Sequence, residues 1–311
     1  MLRLGAPLDF FFNKLCVYCM YRHSRRDLNS LLESYGLALE NMGATAAQTV
    51  SGATSTGTHG TGKHLGSMST QIVGIRMVLA DGTIMVADEE NNQDLLKIGR
   101  VGLGALGIIS TITFRVVPLW NMKLSIIDMD LTELLDRHDE FYEKYDRFQW
   151  GYVPYSDPPV ATVMLRENTD EAITPGGCWE PTVSVKEQPC VDVSYKTLVD
   201  SLERYDNRTI YTEIEIFVPQ EHLKEAILDY MSFQESVREQ HDDSRGTLFT
   251  NIRYIKGDDI TLSPMRGRDS AVISFTITGD REKTGDYGEF EMFAKGLEEV
   301  TRKVSKNKDV A

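Results

Sequence analysis

Residues 51–64, SGATSTGTHGTGKH, hold the most suggestive chemistry in the chain, because from Ser51 to Gly62 nothing is bulkier than the imidazole of His59. Gly57-Thr-His-Gly-Thr-Gly62-Lys63 fits all but the last position of the phosphate-loop pattern G-x-x-x-x-G-K-[ST]. His64 stands where that pattern wants a magnesium-binding hydroxyl. A second run poor in side chains, Gly102-Leu-Gly104-Ala-Leu-Gly107, matches the dinucleotide fingerprint G-x-G-x-x-G. Such runs let a backbone approach a ligand closely, and consecutive N–H groups can form a concave anion site. Cys16 and Cys19 have the C-x-x-C spacing of a redox pair or half a zinc site, but Cys178 and Cys190 sit twelve apart in a different region. The four cysteines are therefore read as reduced packing thiols in an intracellular protein, with no metal site.

Both glycine patterns depend on the elements that flank them. A phosphate loop follows a buried strand and opens a helix, so that amides and helix N-terminus face the phosphates. Here Lys63 is followed by HLGSMSTQIVGIRMVLA, which runs into a strand. The dinucleotide fingerprint needs a strand before and a helix after, whereas NNQDLLKI before it is helical and IISTITFRVVP after it is a β-branched strand. Both nucleotide readings weaken. A pyrophosphate-bearing cofactor held by backbone between the two runs is favoured for the longer one. For Gly102, Gly104 and Gly107 alone, tight turns in a packed sheet are an equal reading.

The remaining elements follow from periodicity. DLNSLLESY places Leu28, Leu31, Leu32 and Tyr35 on one helical face, with Asp27 as cap and Gly36 closing the end. QIVGIRMVLADGTIMVAD reads as a hairpin turning at Asp81-Gly82. Residues 119–125 are expected to be a domain linker, LTELLDRHDEFYEKY an amphipathic helix, and residues 165–190 a polar excursion. RFQWGYVPY, TIYTEIEIFVP, TLFTNIRYI and SAVISFTIT read as strands, and EHLKEAILDYMSFQESVREQ and a segment from about Glu289 as helices. The fold class is α+β in two parts.

At 311 residues the chain can hold two cores. Its formal charge of −14 argues against a nucleic-acid partner, which needs clustered Lys and Arg. No apolar run approaches the length needed to span a bilayer. APLDFFFNKLCVYCMY carries Asp9 and Lys14 and reads as neither signal peptide nor anchor.

SGATSTGTHGTG, ADGT, NNQDLLKIGRVGLGALGIISTITFRVVP, FVPQE and IRYIKGDDITLSPMRGRDSAVIS together resemble the sugar-lactone oxidases. These are the L-gulonolactone and D-arabinono-1,4-lactone oxidases of the vanillyl-alcohol-oxidase flavoproteins. The resemblance runs from about residue 26 to the C-terminus. It implies a PCMH-type FAD-binding domain over residues 26–118, with its N-terminal half missing, after an atypical segment 1–25. It also implies an α+β substrate (cap) domain over 119–311 with an antiparallel sheet. The implied reaction is FAD-dependent oxidation of an aldono-1,4-lactone, hydride passing to flavin N5, to an ascorbate-type product. O₂ or a cytochrome reoxidises the flavin, and membrane association at the endoplasmic reticulum or mitochondrion follows by the same resemblance.

Carried over by residue, Gly52, Ala53, Ser55, Thr56, Gly57, Thr58, His59 and Gly60 line the FAD. Gly104, Gly107, Ile108 and Ile109 contact it from the second run. For His59 the favoured role is fixing the loop while its amide binds. Arg253 corresponds to the arginine of the family's E-x-R and is the expected catalytic cation, stabilising charge on the substrate oxygen. A strand arginine paired with Asp258 or Asp259 is the competing reading. Asn251 stands at the glutamate of E-x-R, and an amide cannot accept a proton there. The family's G-x-G-H-S-like loop is not found in residues 1–25, His23 lacking flanking glycines, and the chain stops near where a G-G-R-P-H-W-x-K segment would begin. FAD is therefore expected to bind non-covalently or weakly. The alternative is a truncated, catalytically silent remnant acting as a binding partner.

Overall fold

The computed structural model describes residues 16–20, 24–178, 185–186, 188–199, 209–240, 247–280 and 287–306. His23 and most of the atypical N-terminal segment lie outside the described residues. The first part of the chain runs β1 (Cys16–Met20), α1 (Arg25–Ser34), β2 (Leu37–Ala38), α2 (Val50–Ser55), β3 (Ile72–Val78), β4 (Ile84–Asp88), α3 (Gln93–Gly99), β5 (Ile108–Arg115) and β6 (Val117–Pro118). Four strands form an antiparallel sheet in the order β1-β5-β3-β4, and β2 pairs with β6. The Asp81-Gly82 hairpin forms as its turn chemistry predicts, Asp81 Oδ1 accepting the Thr83 amide at 2.8 Å.

Helix α1 starts earlier than expected. Ser24 is its cap, its hydroxyl accepting the Asp27 amide while the Asp27 carboxylate accepts the Ser24 amide. Asp27 is thus the third helical residue of a capping box rather than the cap itself. Leu28 and Leu32 are buried as the spacing demands, whereas Tyr35 is exposed.

The second part runs β7 (Asn121–Asp130), α4 (Leu131–Asp136), α5 (His138–Lys144), β8 (Arg147–Tyr152), β9 (Val160–Thr169), β10 (Cys190–Val193), α6 (Ser194–Leu198), β11 (Thr209–Pro219), α7 (Leu223–Gln240), β12 (Thr247–Ile255), β13 (Ser270–Asp280) and α8 (Tyr287–Lys306). Its seven strands are ordered β10-β7-β9-β8-β12-β13-β11. Three expectations are corrected. Residues 121–125 are no linker but the start of β7, paired along its whole length with β9. The helix over 131–144 is two helices, divided where Arg137 takes φ −99° and ψ 8°. Cys178 and Cys190 are joined in a disulfide, because the excursion folds back onto β10 and brings their Cα atoms to 5.4 Å; they are not reduced packing thiols.

Strand alternation gives this large sheet two unlike faces. Phe148, Trp150, Ile252, Tyr254, Ile273 and Phe275 pack with Ile227 and Tyr230 of α7 and Phe293 and Leu297 of α8 into one apolar core. The opposite face carries Arg147, Gln149, Asn251, Arg253, Ser274 and Glu215, brought into line by the registers Gly151↔Asn251, Asn251↔Ser274 and Glu215↔Ser274. The glycine loop docks on that polar face. Among the described residues, no helix is long and apolar enough to cross a membrane.

Candidate active site

The glycine run Ser51–Gly62 divides into a short helix and an extended loop. Thr49 caps α2, its side chain accepting the Gly52 amide, and Gly52, Ala53 and Ser55 lie within that helix. Thr56 Oγ1 donates back to Gly52 O. The amides of Gly57 and Thr58 close the helix end on Thr54 O and Ala53 O, and the Gly62 amide bonds to Tyr254 O at 2.7 Å. The amides of His59, Gly60 and Thr61, all buried residues, meet no acceptor among the described residues. Buried N–H groups without partners are rare in proteins. Three in succession are a donor set suited to a phosphate or to a polar ring edge. Within the run Ser51–Gly62, the amides left available are those of residues 59–61.

Gly60 has its own reason to be glycine. A Cβ there would lie 2.4 Å from Met42 O and 2.5 Å from Asn41 Oδ1, so only a bare Cα can pass beneath the 41–44 segment. The second run behaves differently. Leu103 donates its amide to Ser55 O at 3.1 Å, docking this turn directly on α2. Gly107 passes so close to β3 that a Cβ would sit 2.4 Å from Val78 O. Gly104 and Ile108 are exposed and Ile109 is buried. A cavity of about 10 Å³ lies among Met42, Ala44, Gly60, Thr61, Gln149, Arg166, Leu198 and Arg253.

Lys63 plays no phosphate-loop part. Its Nζ donates to the carbonyls of Tyr142 and Glu143 at 2.9 and 2.6 Å, at the C-terminal end of α5.

On the sheet, Arg253 does not pair with Asp258 or Asp259. Its Nη1 lies 3.6 Å from Glu215 Oε1. Asp259 pairs with Lys97 at 3.0 Å, and Asp258 holds its own turn through Ser263 Oγ and the Ile260 amide. Asn251 is buried and accepts from Gln149 Nε2 at 3.3 Å, while Gln149 Oε1 accepts from Arg166 Nη1 at 3.1 Å. Arg147 lies deeper on the same face, where burial pulls its guanidinium down to about 10.

His59 Nδ1 lies 2.8 Å from Gly60 O, and since a carbonyl only accepts, Nδ1 donates. Its Nε2 lies 3.4 Å from Glu215 Oε2 without the alignment of a hydrogen bond. The ring stands edge-on to Phe217, with centroids 5.4 Å apart. Burial alone would raise the Glu215 carboxyl, but the charge and close approach of His59, with Arg253 behind it, hold it down at about 2. Glu215 escaped the sequence reading. The alternation T-E-I-E-I-F-V in β11 was the signal, since it puts Glu213, Glu215 and Phe217 on one face of a half-buried strand.

With this geometry established, similarity to known proteins carries weight. Residues 24–88 match the model of an FAD binding domain. The chain is 28% identical to the L-gulonolactone oxidase of Mus musculus over 277 residues, covering 81% of this chain. It is 29% identical to the L-gulono-1,4-lactone dehydrogenase of Mycobacterium tuberculosis over 303 residues. The D-arabinono-1,4-lactone oxidase of Candida glabrata matches at 27% identity over 60% of this chain.

Over most of its length the chain is thus similar to sugar-lactone oxidases and dehydrogenases. It spans 62% of the length of the mouse relative and 67% of the mycobacterial one. Among solved structures, cholesterol oxidase from Brevibacterium sterolicum superposes on 95% of the chain with a TM-score of 0.73 at 12% identity. The 6-hydroxy-D-nicotine oxidase from Arthrobacter nicotinovorans superposes with a TM-score of 0.69 at 14% identity. At such identities these two establish the fold, which is that of the PCMH-type FAD proteins. The unpaired amides of residues 59–61 and the bare Cα of Gly60 suit backbone binding of a phosphate-bearing cofactor such as FAD.

Proposed function

We propose that this chain oxidises an aldono-1,4-lactone at a ring carbon bearing a hydroxyl, with FAD as cofactor. The observation that carries the reading is the meeting of Gly60 and Thr61, whose amides are unpaired, with Arg253 around one cavity. In this reading residues 26–118 form the FAD-binding part and 119–311 the substrate part. FAD, when bound, supplies the hydride-accepting ring. The backbone of residues 59–61 binds and orients it, with Gly52, Ala53, Ser55, Thr56, Gly57, Thr58 and the Gly104–Ile109 turn as the surrounding wall.

Arg253 stabilises negative charge on the substrate oxygen, a task for which a half-buried, ion-paired guanidinium is well suited. Asn251, held by Gln149, orients a substrate hydroxyl without taking its proton. Electrons then pass to O₂ or to a cytochrome, the latter implying a membrane surface, and the product is an ascorbate-type enediol lactone.

The test uses the chain as it stands. FAD is titrated against it by fluorescence quenching, then L-gulono- or D-arabinono-1,4-lactone is added without oxygen. Bound FAD whose visible absorbance bleaches supports the reading. Bound FAD indifferent to every aldonolactone overturns it, as does failure to bind FAD.

A further inference from the structure

Position 251 offers an amide where the lactone-oxidase pattern has a carboxylate, and the fold brings an acid to the site from another strand. We propose that Glu215 is the positioning residue of this site, a single carboxylate that fixes His59 on the glycine loop and Arg253 on the sheet together. The inference rests on the function proposed above and adds a residue to it.

The register explains how β11 reaches the site. Asn251 of β12 pairs with Ser274 of β13, and Ser274 pairs with Glu215 of β11, so Glu215 stands on the Asn251 face two strands away. Two strand spacings are about 10 Å, a gap that the long side chains of Arg253 and Glu215 close from both sides. The two carboxylate oxygens serve different partners, Oε1 facing Arg253 Nη1 at 3.6 Å and Oε2 facing His59 Nε2 at 3.4 Å. The His59 side chain keeps 2% of its exposure, Arg253 13% and Glu215 30%, so each contact joins a partly exposed carboxylate to a largely covered cation or ring. Glu213, the next acid on this face, is taken by the Ser274 hydroxyl. Phe217, one step further along, closes the edge of the His59 ring.

Glu215 therefore acts by place and charge. His59 anchors to Gly60 O through Nδ1, so whatever fixes Nε2 also fixes the Gly60 peptide, and with it the direction of the unpaired amides. The same carboxylate sets where the Arg253 guanidinium points. Held well below the ordinary carboxylate range, Glu215 is an anion and a weak base, suited to positioning more than to proton transfer.

Two measurements on the full chain test this. A double-mutant cycle of Glu215→Gln and His59→Asn, read by urea unfolding without FAD, should be non-additive by about fivefold or more in the folding equilibrium constant. FAD affinity should fall at least tenfold in Glu215→Gln and recover most of that loss in Glu215→Asp, a rescue that lost packing alone would not give. An additive cycle overturns the inference, as does a Glu215→Gln chain that binds FAD like the unsubstituted one. If the unsubstituted chain binds no FAD, the proposed function fails and the cycle alone decides the role of Glu215.

Discussion

The hydroxyl of Thr61 stands between Tyr254 and Phe148 where a sheet hydrogen bond would otherwise run. It accepts the Tyr254 amide at 3.1 Å and donates to Phe148 O at 2.7 Å. Strands β8 and β12 pair directly only from Thr250↔Tyr152 to Ile252↔Trp150. One step beyond, the glycine loop enters the gap, and the Gly62 and Lys63 amides bond to Tyr254 O and Asp146 O. The loop that offers the free amides is thereby sewn into the seven-stranded sheet. Thr61→Val keeps the shape and leaves a buried N–H and C=O unsatisfied. Urea unfolding should show a loss of about 1–3 kcal/mol, and FAD affinity should fall with it.

Gly60 tolerates no side chain because the atoms a Cβ would meet are the Met42 carbonyl and the Asn41 amide oxygen. Gly60→Ala should displace the loop, cost about 1–3 kcal/mol of stability, and weaken FAD binding tenfold or more in a quenching titration. Unchanged FAD affinity would move the binding surface away from this segment.

Lys63 ties the loop to the end of α5, a position where a cation also meets the negative end of the helix. Lys63→Met should lose about 1.5–3 kcal/mol in urea unfolding while FAD affinity stays near that of the parent. Equilibrium dialysis should find no Mg-ATP bound to either protein. ATP binding abolished by the substitution would revive the phosphate-loop reading.

Arg253→Met removes the cation proposed to face the substrate oxygen. Steady-state assays with the preferred lactone should show turnover reduced about 10²- to 10³-fold, with FAD affinity changed far less. Equal losses in both would make Arg253 a cofactor-binding residue.

The folded-state value of Glu215, about 2, lies below its ordinary 4.5. A depressed carboxyl contributes stability that is fully present above pH about 4.5 and is lost as pH falls toward about 2. Acid titration of stability by urea unfolding should therefore slope downward through that window. Glu215→Gln should flatten the slope without removing it, since Asp128 and Asp259 are also depressed, by Lys186 and Lys97 respectively.

Much of the architecture could be read from local signals. The Asp81-Gly82 hairpin, the Leu28 and Leu32 stripe and the alternating strands β11, β12 and β13 each carry their period in ten or so adjacent residues. Strands β7 and β9 were hidden because their alternation is broken by adjacent apolar residues such as Ile126 and Ile127, and only their pairing with each other makes them strands. The disulfide was misjudged for a similar reason, since a spacing of twelve says nothing about where the chain turns back.

By itself the sequence determined that residues 51–62 lack side-chain bulk, that this bareness suits a ligand, and that Arg253 is a candidate cation. Tertiary structure alone decided which amides remain available, because acceptors for Gly62 and Lys63 come from residues that lie eighty or more positions away in sequence. It also decided that Arg253 meets Glu215 and not the neighbouring aspartates. Strand register sets which side chains share a face, and register is fixed by the summed burial of a whole sheet rather than by any residue's own neighbours.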